Sequence, residues 1–489
     1  MSATRLPLLD SDPAVEDPAA PPTPVATAGL LQRAEALIGS GRLTAARTLL
    51  AAVARQGAAT ADLALARARL ALAENRPAAA REELDAAIAA EPAHAALRKL
   101  RAQIHAALDN MTDSALDAAE AVMADPRDPQ AKALLGGVLL ALGQPTDAAA
   151  CLQEAVAGAP GCAAYHRALA AAQDAAGDWH RAAQTLDGAI RLLPRDTALR
   201  RARVLHAFHR STPEAALEQA QQARRDGSAD DWTIGIEGYL LARCGKLDAA
   251  MDAYLDSQRF AVPQAANPLM ATAVPRVPLP VIRALYGCNA AETPPDRSTP
   301  LAPPLLEAAI RACMTEAPGP WTDALDLGCE DGTMGRPVAR LDFTRITGVD
   351  AASNMLARCK ALGIYADLRD DDLLAVLLRP DAVPRQDLIV AAGTFRYFGV
   401  LAPLLAGAAS CLRPGGLLAF TLETSADASA DAPWTLGQEG WFRHDRDYVR
   451  RSLAEAGFDV VACRPEATRL ADDGRANGLL AVGRRRHGT

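Results

Sequence analysis

The sequence predicts an all-α helical-repeat solenoid followed by an α/β domain with a seven-stranded mixed sheet. Three observations predict it. Small residues recur every 34 positions from about Thr27 to Gln264. A proline-rich stretch then interrupts the pattern. After it, Asp323 to Asp350 reads as an apolar strand, a glycine-rich turn, a helix and a second strand ending on an acid.

The 489 residues leave room for more than one core. Half of them are hydrophobic but only 4% are aromatic, and the abundance of alanine favours helix. A net charge of −8 supplies nothing that attracts nucleic acid or an anionic membrane. The longest apolar run, Ala133 to Gly143, is too short to span a bilayer. Nine cysteines with no C-x-x-C pair argue against a disulfide framework or a zinc site. Eight histidines show no H-E-x-x-H spacing, so no metal is expected. A reducing, cytoplasmic setting is the expectation. Residues 1–26 carry acids and prolines without an apolar stretch, which reads as a disordered lead rather than a secretory signal.

Residues 27–264 hold four series in one register. Ala46, Ala80, Ser114, Ala148, Ala182, Ala216 and Ala250 form the first. Ala34, Ala68, Ala102, Gly136, Ala170, Val204 and Gly238 lie twelve residues earlier. Gly41, Asn75, Asp109, Gly143, Gly177, Ser211 and Gly245 are turn-formers, and Pro92, Pro126, Pro160 and Pro194 keep the same period. Small residues let paired helices approach. The turn residue stops one helix, and proline cannot continue the next. About seven units of two helices each follow. This pattern resembles the tetratricopeptide repeat (TPR). The resemblance implies a concave groove that binds a protein or peptide. Trp179, Trp232, Tyr239 and Tyr254 read as helix-packing residues.

Residues 265–320 form the proline-rich linker. Within it, Pro280 to Tyr286 reads as a short helix, and Leu301 to Met314 as an amphipathic helix over the sheet edge. The α/β domain occupies 321–489. Ser353, as N-cap, starts a helix to Leu362. Asp367 to Asp370 is the third strand, and Leu373 to Leu378 a short helix behind Asp372. Gln386 to Ala392 is a continuous apolar run, as in a central parallel strand. The loop Gly393 to Gly399 follows at its carboxyl end, where open α/β sheets place ligands. A helix from Val400 to Leu412, a turn over Arg413 to Gly416 and a strand from Leu417 to Glu423 come next. Ser425 to Gly440 reads as a surface loop, and Arg446 to Ala456 as a helix. Phe458 to Cys463 and Leu479 to Val482 would be antiparallel edge strands.

The run Asp326-x-Gly328-x-Glu330-x-Gly332 resembles the first motif of class I S-adenosylmethionine (SAM)-dependent methyltransferases, a Rossmann-like family. With the T-G-V-D strand end, the D-L-I-V-A-A strand and the His444-x-x-x-Tyr448-Val449 helix start, the chain resembles bacterial TPR-containing predicted methyltransferases. That resemblance implies SAM as cofactor. It implies a cofactor pocket built from Asp326, Gly328, Glu330, Gly332, Asp350, Asp372 and Gly393. Asp350 would accept from the ribose hydroxyls and Asp372 from the adenine amino group; Asp372 reads equally as a helix N-cap. Tyr286 is a candidate lid contact, and Tyr397 and His444 are candidate catalytic groups, His444 otherwise a packing residue. Two positions depart from the family: Glu330 stands where a glycine is usual, and Gly393 where Asp or Asn is usual. The expected function is SAM-dependent methyl transfer, with the repeats recruiting a partner or substrate. The alternative is a non-catalytic TPR scaffold with a degenerate methyltransferase-like domain.

Overall fold

The computed structural model describes residues 24–55, 60–259, 275–286, 299–316, 321–379, 385–424, 433–471 and 474–487. The lead up to residue 23 lies outside them; so do residues 265–274, 287–298 and 317–320 of the linker, and so does the first part of the loop expected after Glu423. The chain divides into two compact units, 1–194 and 195–489.

Among the described residues, the first unit is five helical hairpins. They are Pro24–Gly39 with Leu43–Arg55, Ala61–Ala73 with Pro77–Ala90, and Ala95–Ala107 with Met111–Ala124, then Pro129–Ala141 with Pro145–Gly158 and Ala163–Ala175 with Trp179–Leu192. The small-residue series explains their packing. Ala46, Ala80, Ser114, Ala148 and Ala182 are all fully buried. Gly136 is the tightest case: a Cβ there would stand 2.6 Å from Leu152 Cγ. Each hairpin's first helix ends on a residue with positive φ, including Asn75 at 56° and Asp109 at 62°. Both types tolerate the left-handed region better than most residues. Trp179, expected in the packing, is half exposed instead, at the first position of its helix.

The second unit begins with two further hairpins, Thr197–Arg210 with Pro213–Arg225 and Asp231–Arg243 with Leu247–Arg259. At the sixth turn Ser211 keeps an extended φ of −125°, so its helix runs on to Arg210 before the chain turns. A serine gains nothing from a left-handed cap that glycine adopts freely.

Among the described residues, the α/β part of this unit has ten strands. They are β1 (Thr299–Pro300), β2 (Asp323–Leu327), β3 (Arg345–Asp350), β4 (Asp367–Asp370), β5 (Gln386–Ala391), β6 (Leu412–Glu423), β7 (Trp434–Leu436), β8 (Phe442–His444), β9 (Phe458–Ala471) and β10 (Gly474–Arg485). The main sheet has the order β1-β9-β10-β6-β5-β2-β3-β4. β6, β5, β2, β3 and β4 are parallel, and β10 runs antiparallel to both of its neighbours, β6 and β9. Seven strands make the expected mixed sheet, and the two-residue β1 adds to its edge. Chain order reverses direction between β2 and β5, which opens a crevice at their carboxyl ends.

Alternation along β2 sends Ala324 to one face and Leu325 and Leu327 to the other. On the first face, Leu306, Ile310 and Cys313 of helix Ala302–Glu316 cover Val390, Ala419 and Leu480. That helix therefore lies on the face of the sheet, not at its edge as its sequence suggested. On the second face, helices Ala402–Cys411 and Arg446–Glu455 share a core with helix Leu279–Tyr286 and the last two hairpins.

Several boundaries differ from expectation. Ala352, not Ser353, is the N-cap, because Asp350 Oδ1 takes its amide at 2.9 Å. Arg413 to Gly416, expected as a turn, fall within the bounds of β6 but make an irregularity there: pairing with β5 passes from Leu412 to Leu417, and Gly415 has φ +81°. Part of the expected surface loop is strand, β7 pairing with β8. β9 and β10 are longer than their apolar centres because the two strands pair along their whole length.

Candidate functional site

Two cavities lie along the crevice among the described residues. The larger, about 270 Å3, is lined by Glu330, Asp331, Met355, Arg358, Gly393, Arg396 and Glu423, among others. The smaller, about 60 Å3, is lined by Arg276, Ile282, Asp350, Asp372, Leu373 and Tyr397, among others. Gly328, Glu330 and Tyr286 form part of both walls, so these three residues stand between the two rooms.

The loop after β2 carries the unusual acid. Glu330 has φ +46°, a left-handed conformation that costs a non-glycine residue about 1–3 kcal/mol. Both of its peptide groups are tied. Its amide donates to Asp350 Oδ2 at 2.9 Å, and its carbonyl accepts from the Cys359 thiol at 3.1 Å. Its half-buried carboxyl has no hydrogen-bond partner among the described residues. Burial, working against the pull of the Arg396 guanidinium, pushes it up to about 7.

The glycines of this loop serve packing more than ligand approach. A Cβ at Gly328 would collide with Thr394, and one at Gly332 with Leu362. Gly393 is different: it has φ +73° and open space where a side chain would project. Its amide donates to Thr421 Oγ1 at 2.8 Å, which pins the start of the loop after β5.

Asp350 ends β3 and is buried, its carboxylate accepting from the amides of Glu330 and Ala352. Burial raises its pKa despite those bonds. Asp372 does two jobs. Its Oδ1 caps helix Leu373–Leu377 through the amide of Leu374 at 2.9 Å, and its Oδ2 accepts from Arg276 at 2.6 Å.

Arg276 belongs to a segment that crosses the smaller cavity. The Val277 amide donates to the Tyr397 carbonyl at 2.8 Å, and the Gly399 amide donates to the Pro275 carbonyl at 2.7 Å. Arg283 donates to the Ala351 carbonyl at 3.0 Å and pairs with Asp370 at 3.1 Å. Tyr286, at the end of this segment, meets Tyr397 oxygen to oxygen at 2.5 Å.

A buried polar cluster forms the far wall. Arg396 pairs with Glu423 at 3.1 Å and donates to the hydroxyls of Tyr286 and Tyr397, each at 3.2 Å. Its guanidinium lies 4.4 Å from the Trp441 ring centre, and Trp441 Nε1 donates to Glu423 at 2.8 Å. Burial opposes the Arg396 charge, but Tyr397, Tyr286 and Glu423 outweigh it and hold its pKa well above the usual value.

The crevice thus gathers Gly328, Glu330, Asp350, Asp372, Gly393, Tyr286 and Tyr397. It does not gather Asp326, Gly332 or His444. Asp326 is fully buried behind the loop, where Tyr365 donates to its Oδ2 at 2.8 Å, and its Oδ1 has no partner among the described residues. Gly332 packs under Leu362. His444 is fully buried, with Nε2 against the carbonyls of Phe398 at 2.9 Å and Gly399 at 3.2 Å. Burial drives its pKa down to about 4, so it is a neutral brace for the loop and not a proton carrier to the crevice. Arg276, Arg396, Glu423 and Trp441 escaped the sequence reading. They lie in the linker, in the loop after β5, at the end of β6 and before β8, and nothing in local spacing joins them.

A family model described as a methyltransferase domain matches residues 325–418. One described as a tetratricopeptide repeat matches 65–132 and 134–196. A ubiquinone biosynthesis O-methyltransferase of Methylobacterium sp. is 31% identical over 122 residues, which is 23% of this chain and 47% of that protein. The chain therefore spans about half the length of this curated relative. A tetratricopeptide repeat protein from Parabacteroides merdae superposes with TM-score 0.38 at 13% identity, covering 50% of this chain and 98% of that one. The N-methyltransferase NodS from Bradyrhizobium japonicum gives TM-score 0.29 at 20% identity, covering 38% and 96%. No helix among the described residues is long and apolar enough to cross a membrane. The chain carries a methyltransferase domain over residues 325–418, preceded by tetratricopeptide repeats over 65–196.

Proposed function

We propose that this protein transfers a methyl group from SAM, bound in the crevice between β2 and β5, to an acceptor that enters the larger cavity. The repeat array over 27–264 recruits a protein partner or substrate for the domain over 321–489. The observation that carries this reading is the paired cavity at the topological switch point, with a smaller room that holds two acids on one side and a larger room whose wall includes several charged side chains on the other.

The donor chemistry fits the residues present. The smaller room combines apolar walls, Ile282, Leu373 and Phe398, with the acids Asp350 and Asp372. Such a pairing suits a base and its ribose hydroxyls. At about 60 Å3 it is the smaller of the two rooms, and a nucleoside enters it past residues of the segment 275–286, which form one of its walls. The larger room, at about 270 Å3, leaves space for the amino-acid end beside Glu330. When bound, SAM supplies an already activated methyl group. The protein's task is then to orient the acceptor and exclude water. Tyr397 lines the smaller room and accepts from Arg396; burial raises its pKa, so it is not a ready base.

A second reading has one observation in its favour: Asp372 in the wall of the smaller room is already paired with Arg276. Under it the domain is a silent scaffold beside a docking array. Calorimetric titration of the intact chain with SAM and with S-adenosylhomocysteine, followed by labelled-methyl transfer from cell lysate, separates the two. Binding of both ligands, lost in Asp350→Ala, supports the enzyme. Absence of binding by the folded chain leaves the scaffold.

A further inference from the structure

We propose that Glu330 reads the charge of the methyl donor, giving the site a preference for the sulfonium of SAM over the neutral thioether of its product. This rests on the donor reading above and deepens it.

Glu330 is one of three residues that wall both rooms, and among them only it carries a charge. A donor laid across both rooms must pass that junction, and the atom joining its nucleoside and amino-acid halves is the sulfur. The residue's peptide groups are committed to Asp350 and Cys359, while its carboxyl has no hydrogen-bond partner among the described residues. The chain holds this residue at φ +46°, where a glycine would rest without strain. The nearby cation, Arg396, is already matched by Glu423 and by two tyrosine hydroxyls.

The electrostatics favour a cationic visitor. Asp350, Asp331 and Asp326 all disfavour a negative charge on Glu330, and Arg396 favours it. A positive sulfur at the junction relieves that crowding and restores the ionised carboxylate. Methyl transfer leaves sulfur neutral, and the attraction vanishes with the charge. Product then leaves a site in which the acids again repel one another.

The test uses the full chain and titration calorimetry with SAM and S-adenosylhomocysteine. Wild type should bind SAM the more tightly. Glu330→Gln should lower the ratio of the two affinities by roughly tenfold, about 1.4 kcal/mol, with the larger loss on SAM. Glu330→Gly should lower the ratio similarly while raising the melting temperature through relief of strain, which shows that the chain remains folded. An unchanged ratio in both variants, with both ligands still bound, overturns the role of Glu330 and leaves the donor reading intact. Failure of wild type to bind either ligand rejects the donor reading and this proposal with it.

Discussion

The hydroxyl of Tyr254 donates to the carbonyl of Gly440 at 3.0 Å, joining the last repeat hairpin to the turn before β8. The Tyr239 ring occupies the space where a Cβ on Gly440 would stand, and Gly440 has φ +90°. The next residue is Trp441, which holds Glu423, which in turn holds Arg396 in the cavity wall. The repeat hairpin thus supports the crevice through a short chain of named contacts.

Tyr254→Phe should therefore cost about 1 kcal/mol, the worth of one buried hydrogen bond. Gly440→Ala should cost about 3 kcal/mol, because it adds both a collision and a strained φ. Thermal unfolding of the two variants checks the order. If methyl transfer depends on the Arg396 wall, both variants lower kcat more than they raise the SAM dissociation constant. Equal stability of Gly440→Ala and wild type would remove Tyr239 and Tyr254 from this role.

Arg276 and Asp372 pair in the wall of the smaller room, and we expect the pair to part when a ligand enters. A ligand that needs the open form binds with an affinity reduced by the fraction of chains that are open. Arg276→Ala should raise the association rate for SAM, by on the order of tenfold, and tighten binding by a similar factor. Asp372→Ala should do the opposite. It frees the segment but removes both the helix cap, worth about 1 kcal/mol, and an acid of the room. Stopped-flow binding of SAM to both variants distinguishes the two effects, and slower association in Arg276→Ala would show that the arginine helps hold the ligand.

The architecture was legible because it repeats or alternates. The 34-residue series placed seven hairpins, and Ala324, Leu325 and Leu327 announced a buried parallel strand. The Asp367–Asp370 strand was legible only by its place in the order. Its composition argues against a strand, and it is the sheet's edge at that side, where charged residues are tolerated. The candidate site was half legible. Glu330 and Asp350 sit on one motif, within 20 residues of each other. Arg276 and Asp372 lie 96 apart, and Arg396 and Glu423 lie 27 apart, so only folding brings them together. The same limit explains His444 and Asp326: nothing local tells a buried brace from a residue of the crevice.

Gly136 tests the packing of the repeats separately from the site. It is the one glycine in its series among the first five hairpins, and Leu152 fills the space its missing side chain leaves. Gly136→Ala should destabilise the array by about 1–3 kcal/mol despite the higher helix propensity of alanine. Gly136→Ala combined with Leu152→Ala should recover part of that loss. Additive effects in urea unfolding would mean that the two residues do not share one space.

Asp326 and Glu330 give the domain a pH dependence of defined sign. Burial pushes each up to about 7 in the folded chain, well above the value of roughly 4 that each takes when unfolded. Between about pH 4 and pH 7 the folded state therefore holds protons that the unfolded state has released, and stability falls as pH rises through that window. His444 opposes this at the acid end. Its depressed pKa, about 4, makes stability fall as pH drops from about 6.5 towards 4. Asp326→Asn keeps an acceptor for the Tyr365 hydroxyl but removes the titration, so its melting temperature should depend less on pH between about 5 and 8. Adding Glu330→Gln should flatten the curve further, and the double variant should gain most over wild type above about pH 7. Parallel curves for wild type and both variants would show that neither carboxyl holds its proton in the folded protein.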